Sequence, residues 1–201
     1  MDERDQIASA KEASGRGDFA AAVGLLRPLA QAGSVEAAYD LGYLALTECE
    51  LVSGKEAFAC FQAAARYGHA AAMYHLATFP EFVTEGFSSP LTTDARWKLL
   101  IAAAEAGNVL AQRDAGSYLA TGDWEPGSSP DLPAAVDWYT KAAAAGNADA
   151  QFNLATMLLA GEGCERRVPD GLLWLDTAAA QGHSGALQFL QHIRDIGVER
   201  I

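Results

Sequence analysis

Residues 142–155 read AAAAGNADAQFNLA, and this stretch decides the fold of the 201-residue chain. Small alanines lead to Gly146, Asn147 follows it, and Ala150 and Leu154 stand four and eight residues after the glycine. Glycine adopts the left-handed conformation that ends many helices, and asparagine favours the first position of the next one. Offsets of four and eight lie on one helical face. The stretch therefore predicts a helix that stops at Gly146 and a second that starts at once.

The same pattern occurs five times along the chain. The five glycines are separated by 35, 39, 39 and 36 residues, and they are Gly33, Gly68, Gly107, Gly146 and Gly182. An alanine stands four residues after each glycine, and another stands three residues before it. A large apolar residue stands seven before each glycine, namely Leu26, Phe61, Leu100, Tyr139 and Leu175. Self-similarity at this period predicts stacked pairs of helices, because one pair alone leaves its apolar surface in water.

We therefore predict an all-α fold, an α-α superhelix (solenoid) of about four to five helix pairs that forms a single domain over residues 1–201. Its expected parts are an N-terminal helix pair or cap (1–33), four repeat units (34–68, 69–107, 108–146 and 147–182) and a C-terminal capping helix (183–201). Helices are expected near 3–15, 19–32, 34–47, 54–67, 69–79, 94–106, 108–121, 133–145, 147–160, 170–181 and 184–196, and no strand is expected.

Residues 150–155, together with Gly161-Glu-Gly163, Trp174 and Gly182, resemble one complete Sel1-like repeat, a relative of the tetratricopeptide repeat. Weaker copies contain Ala37-Ala-Tyr-Asp-Leu-Gly42 and Ala111-Gln-Arg-Asp-Ala-Gly116, so the resemblance covers nearly residues 18 to 196. The second repeat lacks the GxG of the complete copy and carries Phe79-Pro80-Glu81-Phe82 instead, which predicts an early end of its first helix at the proline. The resemblance implies a scaffold or adaptor role, commonly in bacterial signalling and envelope processes, with the concave surface as the contact face.

Composition argues against several partners. The chain has 14 Lys plus Arg against 26 Asp plus Glu, a formal net charge of −12, so nucleic acid and an anionic membrane surface would be repelled. Cys49, Cys60 and Cys164 are odd in number and show no CxxC spacing, which indicates reduced thiols rather than the paired cysteines of secreted relatives. The charged N-terminus does not resemble a signal peptide, so we expect a cytoplasmic protein, or a periplasmic one if the chain was trimmed.

The resemblance places candidate partner-binding residues on the first helix of each pair, which lines the inner surface of tetratricopeptide-like superhelices. At six, seven and ten residues past the glycines, the candidates are Tyr39, Asp40, Tyr43, Tyr74, Arg113, Asp114, Phe152 and Asn153. Amphipathic rings beside hydrogen-bonding groups are typical of peptide grooves. The alternative is that the rings pack against the next unit. The acids on the same helices suggest a partner with a basic segment, although surface acid also serves solubility.

Two longer loops, residues 80–93 and 122–133, are a second candidate binding region. They contain Phe82, Phe87 and Trp124, which either contact a partner or fold back over the helices.

The chain lacks the usual phosphate, zinc, serine-hydrolase and calcium motifs, so we predict no enzyme, no cofactor and no metal site. His69 and His183 both occupy the slot that starts a helix, which the repeat itself explains. Three functional hypotheses remain. They are an adaptor for a protein or peptide, an inhibitor or immunity protein that blocks a toxin or enzyme, and a hydrolase of cell-wall or β-lactam-like material.

Overall fold

A computed structural model describes residues 2–47, 50–78, 91–124 and 127–195 of the chain. Within these residues the protein forms helices and no strand, which confirms the all-α prediction. The helices are α1 (Glu3–Gly15), α2 (Phe19–Gln31), α3 (Val35–Leu44), α4 (Gly54–Arg66), α5 (Ala70–Ala77), α6 (Thr93–Glu105), α7 (Val109–Thr121), α8 (Leu132–Ala144), α9 (Ala148–Ala160), α10 (Val168–Ala180) and α11 (Ser184–Asp195).

The chain divides into two compact units, Met1–Ala106 and Gly107–Ile201. In the N-terminal unit each of the helices α1 to α6 packs on its neighbour in sequence, around a core whose largest fully buried side chains are Phe61 and Leu41. The C-terminal unit packs α7 to α11 in the same way, around Leu154, Leu158 and Leu175. Contacts between sequence neighbours are typical of helical repeats. A single continuous domain over residues 1–201 stays a prediction.

Each of the five repeat glycines stops a helix in the left-handed conformation, as predicted. Their φ angles are 97°, 81°, 88°, 92° and 84° for Gly33, Gly68, Gly107, Gly146 and Gly182. At the first of them, the Gly33 N–H donates to the Ala30 carbonyl at 3.0 Å and the Ser34 N–H donates to the Leu29 carbonyl at 3.0 Å. This pair of bonds is a Schellman motif, which satisfies carbonyls that would otherwise end the helix without partners.

The residue after each repeat glycine caps the next helix. Asn108 and Asn147 accept the amides of Ala111 and Ala150, each at 2.8 Å, and the hydroxyl of Ser34 accepts the Ala37 amide at 3.2 Å. Such caps stabilise a helix by about 1 kcal/mol because they satisfy free N–H groups. One residue therefore ends one helix and the next residue begins another.

Two helix pairs pack closely because a glycine on one helix leaves room for an aromatic ring of the other. A Cβ built on Gly42 of α3 would lie 3.0 Å from the ring of Phe61 on α4, and one on Gly116 of α7 would lie 2.8 Å from the ring of Tyr139 on α8. The ring stands seven residues before a repeat glycine, and the helical glycine stands nine after the preceding one. Glycine here makes room for the ring, which explains its place inside a helix despite its poor helix propensity.

Two helices, α3 and α5, are clearly shorter than the others. Helix α5, the first helix of the predicted repeat 69–107, has eight residues and ends at Ala77, before Pro80, as the sequence predicts. The predicted helix 34–47 ends at Leu44 instead, because Ala45, Leu46 and Thr47 donate to carbonyls three residues back and form a tighter turn. The other described helix ends agree with the prediction within two residues.

Candidate binding groove

A groove lies between α1 and α3 in the N-terminal unit. Its volume is about 290 Å³, and it is lined by Ala10, Lys11, Ser14, Leu26, Tyr39, Asp40, Tyr43 and Leu44. Tyr39 and Tyr43 are four residues apart on α3, so their rings share one face of the helix. Buried aliphatic side chains form the floor, while the ring of Tyr43 remains 46% exposed. The groove thus combines an apolar floor, an accessible aromatic wall and a charged rim.

The charged rim consists of one lysine and two carboxylates. The Nζ of Lys11 on α1 lies 2.8 Å from Glu36 Oε1 and 3.3 Å from Asp40 Oδ2, both on α3. The hydrogen bond to Lys11 lowers the pKa of Glu36 and raises the pKa of Lys11 itself. Burial has the larger effect at Asp40 and raises the pKa of that carboxyl in spite of the lysine. Asp40 is therefore a carboxylate in a partly desolvated position.

Tyr39 belongs to an aromatic cluster that joins α3 to the helices after it. Its ring centroid lies 4.3 Å from that of His69, 5.9 Å from that of His75 and 6.1 Å from that of Phe61. The Tyr39 hydroxyl lies 3.5 Å from Nε2 of His75. Burial raises the pKa of Tyr39 and lowers the pKa of His75. Both rings line the groove, and both contact His75, with the Tyr43 centroid 5.6 Å from that of His75. Tyr39 also stacks on His69, whereas Tyr43 stays 46% exposed.

His69 connects the groove rim to α5. Its Nδ1 accepts the Ala72 amide at 3.2 Å, so it caps that helix, and its Nε2 lies 3.6 Å from Glu36 Oε2. Because Nδ1 accepts the Ala72 amide, the nitrogen that faces Glu36 is Nε2. Glu36 thus faces Lys11 with one oxygen and His69 with the other.

The C-terminal unit repeats this arrangement with different side chains. His183 caps α11 through its Nδ1, which accepts the Ala186 amide at 3.1 Å, and its Nε2 lies 3.4 Å from Asp149 Oδ1. The His183 ring stacks on Phe152, with centroids 4.7 Å apart. Arg113 completes the network, because its Nε donates to Asp114 at 2.7 Å and its Nη1 donates to Asp149 at 3.0 Å. The guanidinium is therefore held by two carboxylates of its own chain.

The structure brings three of the eight sequence-predicted residues into one groove, namely Tyr39, Asp40 and Tyr43. Tyr74 is half-buried on α5, with its ring centroid 5.6 Å from that of His75. The other four, Arg113, Asp114, Phe152 and Asn153, belong to the C-terminal unit. Of these, Asn153 hydrogen bonds the side chain of buried Tyr139.

Lys11 and Ser14 are groove residues that the sequence analysis missed. Both lie on α1, which precedes the first repeat glycine and therefore has no counterpart in the aligned columns. No signal in the repeat pattern could have paired Lys11 with Glu36, because 25 residues separate them.

The second candidate region lies partly outside the described residues, which exclude Phe82, Phe87 and the rest of 79–90. In the other loop, Gly122 ends α7 in the left-handed conformation, the Ser128 hydroxyl bonds its carbonyl, and Trp124 is half-buried. Cys60 and Cys164 are free thiols, and Cys49 lies outside the described part. Burial raises the pKa of Cys60 to about 11.

In the described residues, no group of three or more His, Cys, Asp or Glu side chains is placed to hold a metal ion. A search of the same residues finds no helix with the length and apolarity that crossing a membrane requires.

The Sel1 repeat family model matches residues 35–69, 109–147 and 148–183. A Sel1 repeat protein from Oxalobacter formigenes is 30% identical with a TM-score of 0.76, covering 86% of this chain and 49% of that chain. The protective antigen c5321 of uropathogenic Escherichia coli, which displays an SLR fold, is 28% identical with a TM-score of 0.77, covering 96% of this chain and 41% of that one. This chain thus spans less than half of either solved protein.

A curated relative from Rhizobium meliloti strain 1021 carries the name exopolysaccharide production negative regulator. It is 47% identical over 58 residues, which are 28% of this chain and 22% of that protein. The repeat helices and their capping glycines agree with this set of similarities, and the solenoid fold class is confirmed by them.

Proposed function

Because the chain belongs to the Sel1 repeat family, we propose that it is a binding scaffold or adaptor that holds a segment of a partner protein in the groove between α1 and α3. The observation that carries this proposal is the exposed ring of Tyr43 above an apolar floor in that groove. Tyrosines of this kind contribute much binding energy because they bury a large area with few rotors to restrict.

The groove has the size of a side-chain pocket rather than of a small-molecule site. A volume of about 290 Å³ is at the lower end of the range of ligand pockets, and it suits one or two side chains of an extended or helical segment. Leu26 and Leu44 would contact the apolar part of such a side chain, and Asp40 and Ser14 would meet its polar part. A protein segment is therefore the ligand that the lining favours.

The C-terminal unit offers less for a partner at the equivalent positions. Arg113 already donates to Asp114 and Asp149, and Phe152 is stacked on His183. A partner would have to break two hydrogen bonds of the Arg113 guanidinium to use this residue, whereas at the N-terminal groove only the half-exposed side chain of Lys11 would have to move. We therefore place the main contact in the N-terminal unit, and retain Arg113 and Asn153 only as predicted contributors.

One further observation supports a regulatory role for this chain. The Rhizobium relative is named as a negative regulator, and its matched stretch is a little over a quarter of this chain. A second function, an inhibitor or immunity protein for a basic toxin or enzyme, is favoured by the net charge of −12 alone. Both are binding functions, and neither asks for catalysis by this chain.

Photo-crosslinking tests the groove directly. Benzoylphenylalanine placed at Tyr43 should capture a partner from cells, because the ring at that position contacts the bound segment. The matched control is the same residue at Tyr67, a ring 77% exposed at the end of α4 and absent from the groove lining. A product seen at position 43 and absent at 67 supports the proposal. Identical products at both positions, or none at 43, would refute it.

The nature of the captured protein separates the two binding functions. If it is an enzyme or toxin, adding the purified chain should abolish its activity, which is the outcome expected of an inhibitor. An adaptor should leave that activity measurable while both proteins stay in one complex.

A further inference from the structure

We propose that the groove recognises a lysine or arginine side chain of the partner, whose cationic head takes the place that Lys11 occupies beside Glu36 and Asp40. This inference rests on the proposed function, because it names the chemistry of the segment that the same groove binds.

Another cation can replace Lys11 beside Glu36 and Asp40. The side chain of Lys11 is 53% exposed and comes from α1, whereas both carboxylates belong to α3. One lysine faces two carboxylates, so the rim keeps an excess negative charge. The side chain of Asp40 is only 14% exposed, and its buried Oδ2 lies 3.3 Å from the Lys11 ammonium, a long contact for an ion pair. A cation that approaches this carboxylate more closely would therefore bind it more strongly than Lys11 does.

The walls of the groove suit the rest of a long basic side chain. Leu26 and Leu44 offer apolar surface for the methylene stem, as basic residues commonly bury their stems while their charge stays near water. The rings of Tyr39 and Tyr43 are 6.1 Å apart and tilted by 31°, and they flank the same cavity. Aromatic faces attract a guanidinium or ammonium within about 6 Å.

The C-terminal unit shows that acids at the same offsets from repeat glycines hold a guanidinium, although there the two acids lie on different helices, Asp114 on α7 and Asp149 on α9. Glu36 stands three residues after a repeat glycine, as Asp149 does, and Asp40 stands seven after one, as Asp114 does. Asp149 and Asp114 together bind Arg113, which stands six residues after its glycine. In the N-terminal unit that sixth position is Tyr39, so α3 supplies a ring and no cation of its own. The cation comes instead from α1 here, and from the partner in the complex.

Long-range charge favours the same occupant. The formal net charge of −12 attracts a basic segment before contact is made, which raises the association rate at low salt. An acidic segment would meet repulsion both at a distance and at the rim.

Two capped dipeptides provide the probes. We compare acetyl-phenylalanyl-arginine amide with acetyl-phenylalanyl-citrulline amide, because citrulline keeps the shape of arginine and loses its charge. Amide chemical shifts of the ¹⁵N-labelled chain report binding residue by residue. The arginine peptide should shift Lys11, Ser14, Asp40 and Tyr43 and bind at least about fivefold more tightly than the citrulline peptide, and added salt should reduce this ratio.

Lys11 provides the decisive variant. Lys11→Met removes the competing ammonium and keeps an unbranched stem, so it should tighten binding of the arginine peptide by about threefold or more. Lys98→Met is the matched control, because Lys98 is 72% exposed, pairs with Asp94 on α6 and is absent from the groove lining. That control should leave both affinities unchanged.

Equal affinity for the two peptides, weaker arginine binding by Lys11→Met, or no shift at the groove residues with either peptide would each overturn this inference. The crosslinking experiment decides the proposed function separately. A groove that captures a partner at position 43 yet ignores the arginine charge would still be a binding groove, with an occupant of different chemistry.

Discussion

The imidazole of His69 stacks on the ring of Tyr39, with the centroids 4.3 Å apart and the planes inclined by 27°. His183 and Phe152 make the same contact in the C-terminal unit, at 4.7 Å and 27°. In both cases the histidine stands one residue after a repeat glycine and the partner ring stands six residues after the preceding glycine. The stack therefore joins the first helices of consecutive units, and the same histidine caps the helix it begins.

Two substitutions of His69 should measure separately how much its helix cap and its ring stack on Tyr39 stabilise the fold. His69→Asn keeps a side-chain acceptor for the Ala72 amide, as Asn108 and Asn147 do in their units, and loses the stack, which costs about 0.5–1.5 kcal/mol. His69→Ala loses both and should cost about 1 kcal/mol more. Urea unfolding measures the two differences. Equal destabilisation by Asn and Ala would show that the hydrogen bond to Ala72 contributes nothing.

The repeat pattern predicted the helices because its signals are local. A glycine that must adopt a positive φ and an apolar residue every three or four positions are each fixed within one or two turns, so Gly33 and Gly146 could be placed without any tertiary information. The early end of α5 before Pro80 was predictable for the same reason.

The candidate groove was predictable only in part. Tyr39, Asp40 and Tyr43 share a face of one helix, which the sequence shows, but the position of Lys11 depends on how α1 packs. The sequence also could not distinguish the packed ring of Tyr39 from the more exposed ring of Tyr43, because both lie on the same face of α3, four residues apart. The pairing of Arg113 with Asp149 depends on contact between α7 and α9. The position of Arg113 six residues after its repeat glycine does not show how far apart these two helices lie.

Among the glycines that the structure describes, Gly163 should tolerate substitution least. Its φ is 72°, and a Cβ there would lie 2.5 Å from the backbone carbonyl of Leu132, which cannot move as a side chain can. Gly163→Ala should therefore lower the free energy of unfolding by about 2 kcal/mol or more.

Gly24 is the matched control for that substitution. It lies on the exposed side of α2, and a Cβ there would meet no atom within 4 Å. Gly24→Ala should raise the free energy of unfolding by about 0.5–1 kcal/mol, because alanine is the better helix former. Opposite signs for the two alanines in the same urea experiment are the expected result, and a loss of similar size at both positions would contradict it.

Cys60 should react slowly with thiol reagents in the folded protein. Burial raises its pKa from 9.0 to about 11, so its thiolate population falls by about 100-fold at any pH below both values. Iodoacetamide labelling of a Cys49→Ser, Cys164→Ser variant, followed by mass spectrometry at about pH 8, measures the rate. Denaturation in urea should restore ordinary reactivity, and a native rate close to the denatured one would contradict the prediction.

His75 should make the protein less stable in mild acid. Burial, together with the neighbouring His69, holds the pKa of His75 below the ordinary value of 6.5, and the Tyr39 hydroxyl lies 3.5 Å from its Nε2. As the pH falls through 6.5 the unfolded chain binds a proton that the folded chain still refuses, so the free energy of unfolding decreases by at most about 1.4 kcal/mol per pH unit. His75→Gln removes this titration, while His192→Gln on the exposed face of α11 serves as control. The free energy of unfolding in urea, measured at about pH 7.5 and 5.5, should fall less for His75→Gln than for the wild type or the control. This pH interval lies above the range in which Glu36 titrates, because its pKa is lowered. Equal losses in all three proteins would place the acid sensitivity elsewhere, and a carbon-bound proton titration of His75 by NMR would then show a pKa at or above its ordinary value.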